Sequence, residues 1–195
     1  MVIKNNSFIS FVLEFKSGNI QINPVDSKTK SDLILYANNT SAYLKHGIES
    51  GLSIQNPGEY EVKDIFVDCT KVKYEDSLCF TIVAESITVG VITFLEDASH
   101  IPVDFFESVD VLLIAAGGGP FLSPEKAIAL ANKIAPSVAI YYGFSESAPN
   151  DIAKILDSVE EMKKEISNIE FVEKSLKLDK DFLDSMENTV HYVFN

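Results

Sequence analysis

Hydrophobic and polar positions alternate through the first third of the chain. Phe8, Val12 and Leu13 lead into Phe15, Ser17-Gly18-Asn19 supplies a turn, and Ile20 and Ile22 alternate with Gln21 and Asn23. Alternation broken by a glycine turn predicts a β-hairpin. Asp32-Leu33-Ile34-Leu35-Tyr36 is a short continuous apolar run, which fits a strand buried on both faces. A loop or irregular helix is expected through His46, another short strand over Gly51–Ile54, and a turn at Asn56-Pro57-Gly58.

From Tyr60 to Ile92 the pattern reads strand, strand, strand, over Ile65–Val67, Leu78–Val83 and Ile87–Phe94. Pro102 to Ser108 predicts about two turns of helix. Val111 to Ala115 is a buried strand, and Gly117-Gly118-Gly119-Pro120 a tight loop. Ser123-Pro124-Glu125 supplies an N-cap, a proline at the first helical position and an acidic first turn, so a helix is expected to about Ile134. Val138 to Tyr142 is a strand. Between Asp151 and Ile166, Ile152, Ile155, Leu156, Val159, Met162 and Ile166 recur at three- and four-residue steps, which predicts the strongest amphipathic helix of the chain. Its opposite face, Asp157 to Lys164, reads as a solvated surface. Two short strands follow, around Phe171-Val172 and Val190–Phe194. This order supports an α/β or α+β domain with mixed sheets.

Composition narrows the function classes. A length of 195 residues suits one domain, 1–195, with a sizeable core. Cys69 and Cys79 lie in apolar, strand-like segments, where buried reduced thiols are expected rather than a disulfide. No apolar run approaches the roughly 20 residues of a membrane helix, and residues 1–6 lack a signal-peptide pattern. A cytoplasmic protein away from membranes is expected. The net charge is −13, and all sixteen basic residues are lysines. Without arginine, the usual fork for phosphate and guanine edges, so acidic a chain is expected to be repelled by nucleic acid.

Several stretches carry more information. Ile22-Asn23-Pro24, Ser31-Asp32-Leu33-Ile34-Leu35, Pro57-Gly58-Glu59-Tyr60-Glu61-Val62, Gly117-Gly118-Gly119 with its Ser-Pro-capped helix, and Ala139-Ile140-Tyr141-Tyr142-Gly143 resemble the metallo-β-lactamase superfamily, in particular its small stand-alone branch of predicted zinc-dependent hydrolases. The resemblance runs from about Ser7 to about Leu178. It implies an αββα four-layer sandwich of two mixed β-sheets with outer helices, and metals held on loops at one edge.

At the metal positions the chain departs from that family. Where the resemblance implies a His-x-His-x-Asp-His loop, the sequence reads Asn38-Asn39-Thr40-Ser41-Ala42-Tyr43. Asn38 and Thr40 stand for the first two histidines, Ala42 for the aspartate and Tyr43 for the last histidine. Downstream, Phe94-Leu95-Glu96-Asp97 takes the place of His-x-Gly-Asp and keeps only Asp97. Tyr141 stands for the final histidine. Zinc needs several imidazole, thiolate or carboxylate donors, so no zinc and no other cofactor is expected. An oxygen shell from Asn38, Asn39, Thr40, Glu96 and Asp97 is the alternative metal site, and His46 and His100 follow closely enough to lean toward the same cleft. Tyr43, Phe94 and Tyr141 are expected to fill it. Gly117-Gly118-Gly119 lacks the phosphate-loop pattern and reads as a close backbone passage. Two function classes follow. One is an inactive hydrolase-fold protein that acts by binding or assembly, with itself or with a related subunit of the same fold. The other is a metal-dependent hydrolase whose site is non-standard or completed by another subunit.

Overall fold

Alternation sorts each strand's side chains between two faces, and the chain uses it to build two sheets with an apolar layer between them. The computed structural model describes residues 1–26, 28–48 and 50–194. The first strands are β1 (Val2–Ser7), β2 (Ser10–Glu14), β3 (Asn19–Ile22), β4 (Leu33–Leu35) and β5 (Leu52–Ile54). A meander follows: β6 (Gly58–Val62), β7 (Ile65–Lys71), β8 (Leu78–Ala84) and β9 (Ile87–Ile92). Then come β10 (Val111–Ala115), α1 (Pro124–Ile134), β11 (Val138–Tyr142), α2 (Val159–Glu165), β12 (Ile169–Val172), β13 (Ser175–Lys177), α3 (Lys180–Asp184) and β14 (Val190–Phe194).

Both sheets are mixed. The smaller has the order β13-β1-β2-β3-β4-β5, and the larger β12-β14-β11-β10-β9-β8-β7-β6. β3, β4 and β5 run parallel, as do β9, β10, β11, β14 and β12. Two strands from late in the chain complete earlier pairings: β14 lies between β11 and β12, and β13 pairs with β1.

One apolar cluster lies between the sheets and includes Phe11, Leu13, Ile20, Val67, Phe80, Leu113 and Phe194. A second covers the outer face of the larger sheet, where Leu112, Ile114 and Val193 meet Ala127 and Ala131 of α1 and Val159 and Met162 of α2. Val111–Ala115 is therefore buried on both faces, which accounts for its unbroken apolar run. The expected outer helices sit on this sheet. Among the described residues no α- or 3-10 helix precedes Ala98.

Two expected helices differ. Pro102–Ser108 holds a single 3-10 turn, Val103–Phe106, because Glu107 turns extended and Ser108 takes a left-handed φ of 63° to aim the chain into β10. The Asp151–Ile166 helix is broken. Its first part is a 3-10 turn at Ala153–Ile155, Leu156 is extended at ψ 147°, and only Val159–Glu165 is α-helical. Tertiary bonds override the periodicity: the Asp157 N–H donates to the Gly117 carbonyl at 2.6 Å, and the Asp157 carbonyl accepts from Ser145 N at 3.0 Å. The expected apolar face splits as well, since Ile152 and Leu156 join the inter-sheet cluster while Ile155 is exposed. β1, β6, β13 and α3 are elements the pattern did not announce. The β6–β7 and β8–β9 hairpins turn at Lys63-Asp64 and Glu85-Ser86, all four at positive φ without a glycine.

One polar chain crosses the apolar layer. Asn23, fully buried at φ 48°, accepts the Ala37 N–H on Oδ1 and donates from Nδ2 to Thr93 Oγ1, both at 2.9 Å. Thr93 and the Tyr142 hydroxyl are 2.8 Å apart, and Tyr142 donates to the Ile92 carbonyl at 3.2 Å. Both hydroxyl protons are placed if Thr93 donates to Tyr142. Removing one member strands its neighbours in an apolar layer. Tyr142→Phe and Thr93→Val are each expected to lower unfolding free energy by about 1–3 kcal/mol in urea denaturation. The double variant should lose less than the sum, because both substitutions delete the same bond.

Candidate functional site

The loops after β4, β7 and β9 converge at one end of the sandwich. The first carries Asn38, Asn39 and Thr40, and their polar groups are committed locally. Asn38 Nδ2 donates to the Asp76 carbonyl at 2.8 Å. Its Oδ1 accepts from the Thr40 backbone N–H at 2.9 Å and from the Thr40 hydroxyl at 3.1 Å. Asn39 Nδ2 donates to the Gln55 carbonyl at 2.6 Å. Asparagine suits this work, since its amide both donates and accepts and so closes a turn on itself.

A cleft of about 510 Å³ opens between these loops and α1, with Asn38, Glu75, Phe94, Asp97, His100 and Lys126 in its wall. The sequence reading missed Glu75, which organises this wall. One of its oxygens lies 2.9 Å from His100 Nδ1, and the carboxylate accepts the Glu96 N–H at 3.3 Å and the Asp97 N–H at 3.5 Å. A carboxylate on one loop thus holds the backbone of another. No local pattern around Lys71–Asp76 distinguishes Glu75 from the neighbouring acids, and only the tertiary fold reveals it. Asp97 caps the following 3-10 turn by accepting the Ser99 N–H at 2.9 Å, and that bond holds its carboxyl below the usual carboxylate range.

The structure brings Asn38, Phe94 and Asp97 together, with Thr40 beside them through Asp76. Ala42 is exposed, and Tyr43 is half-buried against the inter-sheet cluster. Phe94 is 9 % exposed and packs on Phe121 with ring centroids 5.6 Å apart. Tyr141 departs from expectation. Alternation along β11 turns it onto the helix-covered face, where it belongs to the outer cluster and its hydroxyl lies 3.1 Å from His191 Nδ1. Its neighbour Tyr142 takes the inter-sheet side. The cleft is therefore open, walled by Phe94 and not by Tyr141. His46 stacks on Tyr36 with centroids 5.0 Å apart, while His100 is the histidine in the cleft wall.

The donor set does not fit zinc. Among the described residues no three His, Cys, Asp or Glu side chains are grouped to hold a metal ion. The imidazole of the cleft is already bonded to Glu75, and the amides and hydroxyl of Asn38, Asn39 and Thr40 are neutral donors engaged elsewhere. The cysteines offer no nucleophile. Cys69 faces the inter-sheet layer and Cys79 the outer cluster, both as free thiols. Burial pushes the Cys69 thiol up to about 12 and Cys79 upward as well, so both stay protonated at neutral pH. The glycine loop is a close passage: a Cβ on Gly117 would collide with the Gly143 carbonyl, and Gly118 and Gly119 take φ of 67° and 60°.

No family model matches the sequence. No curated protein matches it either. Solved structures do. The chain superposes with a TM-score of 0.79 on a candidate Zn-dependent hydrolase of the metallo-β-lactamase superfamily from Thermotoga maritima, at 21 % identity over 99 % of this chain and 97 % of that one. A candidate metal-dependent hydrolase from Parabacteroides distasonis matches with a TM-score of 0.63 and 15 % identity, over 97 % and 91 % of the two chains. Igni18, a metallo hydrolase from Ignicoccus hospitalis, matches with 0.59 and 15 %, over 86 % and 91 %. The fold is the metallo-β-lactamase fold.

Two measurements probe the site. Phe94→Ala should destabilise the protein by roughly 3 kcal/mol in chemical denaturation, as buried aromatic truncations do. Neither thiol should react with a colorimetric disulfide reagent at pH 8 in the native state, and both should react once the chain is unfolded. Rapid native labelling would show the β7–β8 region open.

Proposed function

We propose that this is a metallo-β-lactamase-fold protein that acts by binding or assembly and not by metal-dependent hydrolysis. The observation that carries the reading is the bridging of the two loops at the matched metal positions by the loop after β7. Asn38 reaches the loop after β7 through the Asp76 carbonyl, and Glu75 on that loop holds Glu96, Asp97 and His100. A bound cation cross-links loops by drawing anionic and imidazole donors to one point. Here direct side-chain-to-backbone bonds do the cross-linking, so the loops keep their places without an ion. The partner in this reading is a second copy or a related subunit of the same fold.

One observation favours a second reading. The cleft is open and retains Asp97 and His100 in its wall. A neighbouring subunit that contributed imidazoles there would restore a metal-dependent hydrolase.

Metal content separates the two. Protein purified and dialysed without chelator is expected to carry well under one zinc per chain, and EDTA is expected to leave its melting temperature unchanged. Phosphodiester, lactone and β-lactam substrates should turn over no faster than in buffer. Stoichiometric zinc, or a chelator-sensitive melting temperature in an oligomeric fraction, would establish the second reading.

A further inference from the structure

The meander end of the larger sheet combines features that the cleft does not use. β6 is the terminal strand, so among the described residues the backbone groups on its outer side pair with no other strand. Its inward side chains, Tyr60 and Val62, pack against the inter-sheet cluster. Its outward ones are Glu59 and Glu61. Across the ladder Glu61 faces Phe66, which faces Val83, and Glu59 faces Asp68 directly. Phe66 is 49 % exposed and Val83 40 %, and neither is covered by a helix. Together they line a groove of about 450 Å³.

Charge identifies what fits. Glu59 and Asp68 are like charges on directly opposed cross-strand positions, an arrangement that destabilises a sheet. Among the described residues Glu59, Glu61 and Asp68 form no ion pair, and the adjacent Lys63 is drawn away to Asp32 at 2.7 Å. A second copy docking edge to edge would bring another Glu59 and Glu61 against the first pair. That disfavours self-pairing and favours a cation-bearing chain.

We infer that the β6 edge is a docking site for an extended basic segment of another protein, one that alternates lysine or arginine with apolar residues. Such a segment adds as a strand to β6, and its backbone satisfies the free edge groups. The period of two sends its cations to the outward face, against Glu59, Glu61 and Asp68, with the long side chains lying over Phe66. The same period sends its apolar residues inward beside Tyr60 and Val62. The site lies on a different surface from the cleft, so it stands whether or not the cleft binds metal.

The test uses the intact protein and a dye-labelled peptide, Lys-Val-Lys-Val-Lys-Val, capped at both ends, read by fluorescence anisotropy at physiological salt. Saturable binding is expected. A peptide of the same composition in blocks, Lys-Lys-Lys-Val-Val-Val, should bind at least tenfold more weakly. The triple variant Glu59→Gln, Glu61→Gln, Asp68→Asn should lose at least tenfold in affinity. A charge-matched variant at exposed positions elsewhere, Glu165→Gln, Glu173→Gln, Glu187→Gln, should bind as the wild type does. Thermal melting checks that both variants fold, and removing the Glu59–Asp68 opposition should not lower the melting temperature. Absence of saturable binding overturns the inference, and so does equal binding by the two variants or the two peptides, which would mean attraction to net charge alone. A wild-type dimer dissociated by Phe66→Ser would overturn it too, in favour of self-association.

Discussion

The buried amide of Asn23 holds the functional end of this molecule in register. It ends β3 in a left-handed turn, where its N–H donates to the Leu35 carbonyl, its Oδ1 takes the N–H of Ala37 just past β4, and its Nδ2 reaches across the layer to Thr93 just past β9. Tyr142 extends the chain of bonds to the end of β11. Four strand ends from two sheets are thereby fixed relative to one another, and the loops after β4 and β9 emerge at a set spacing. An aspartate at this position could not donate to Thr93 and would bring a charge into a dry layer. A neutral amide satisfies every partner without a nearby cation, in keeping with the neutral character of the loop that follows.

The two sheets were legible because burial imposes period-two alternation on half-buried strands and continuous apolar runs on doubly buried ones. Leu33–Leu35, Val111–Ala115 and Val138–Tyr142 were therefore plain in the sequence. The helix over Asp151–Ile166 misled for the opposite reason. Its apolar spacing is helical, but two backbone bonds to Gly117 and Ser145 pin Asp157 next to an extended Leu156, and the bond partners lie outside the segment. The strand β1 escaped notice because Lys4, Asn5 and Asn6 interrupt its apolar positions, and its place depends on pairing with β2 and β13.

The site was partly legible. Asn38, Phe94 and Asp97, positions matched through the family resemblance, do come together in one cleft wall. Tyr141 went astray by one residue of strand register, which is enough to send a side chain to the other face. Glu75 could not be found at all. Its role comes from the bonds its loop makes after folding, and a single acid in a polar connection carries no pattern. The cleft electrostatics follow from such loop contacts more than from any motif.

The placement of β13 and β14 bears on how the chain comes off the ribosome. β1 is synthesised early, yet one of its two neighbours is β13, made only after nearly every other element. β12 in turn has no neighbour until β14 slides in beside β11. During synthesis both sheets therefore present raw edges with apolar faces, and neither can close until late segments arrive. Pairings so distant along the chain fold slowly. Strand order thus leaves the edges of the partly made sheets open for longest, independent of how stable the finished molecule is.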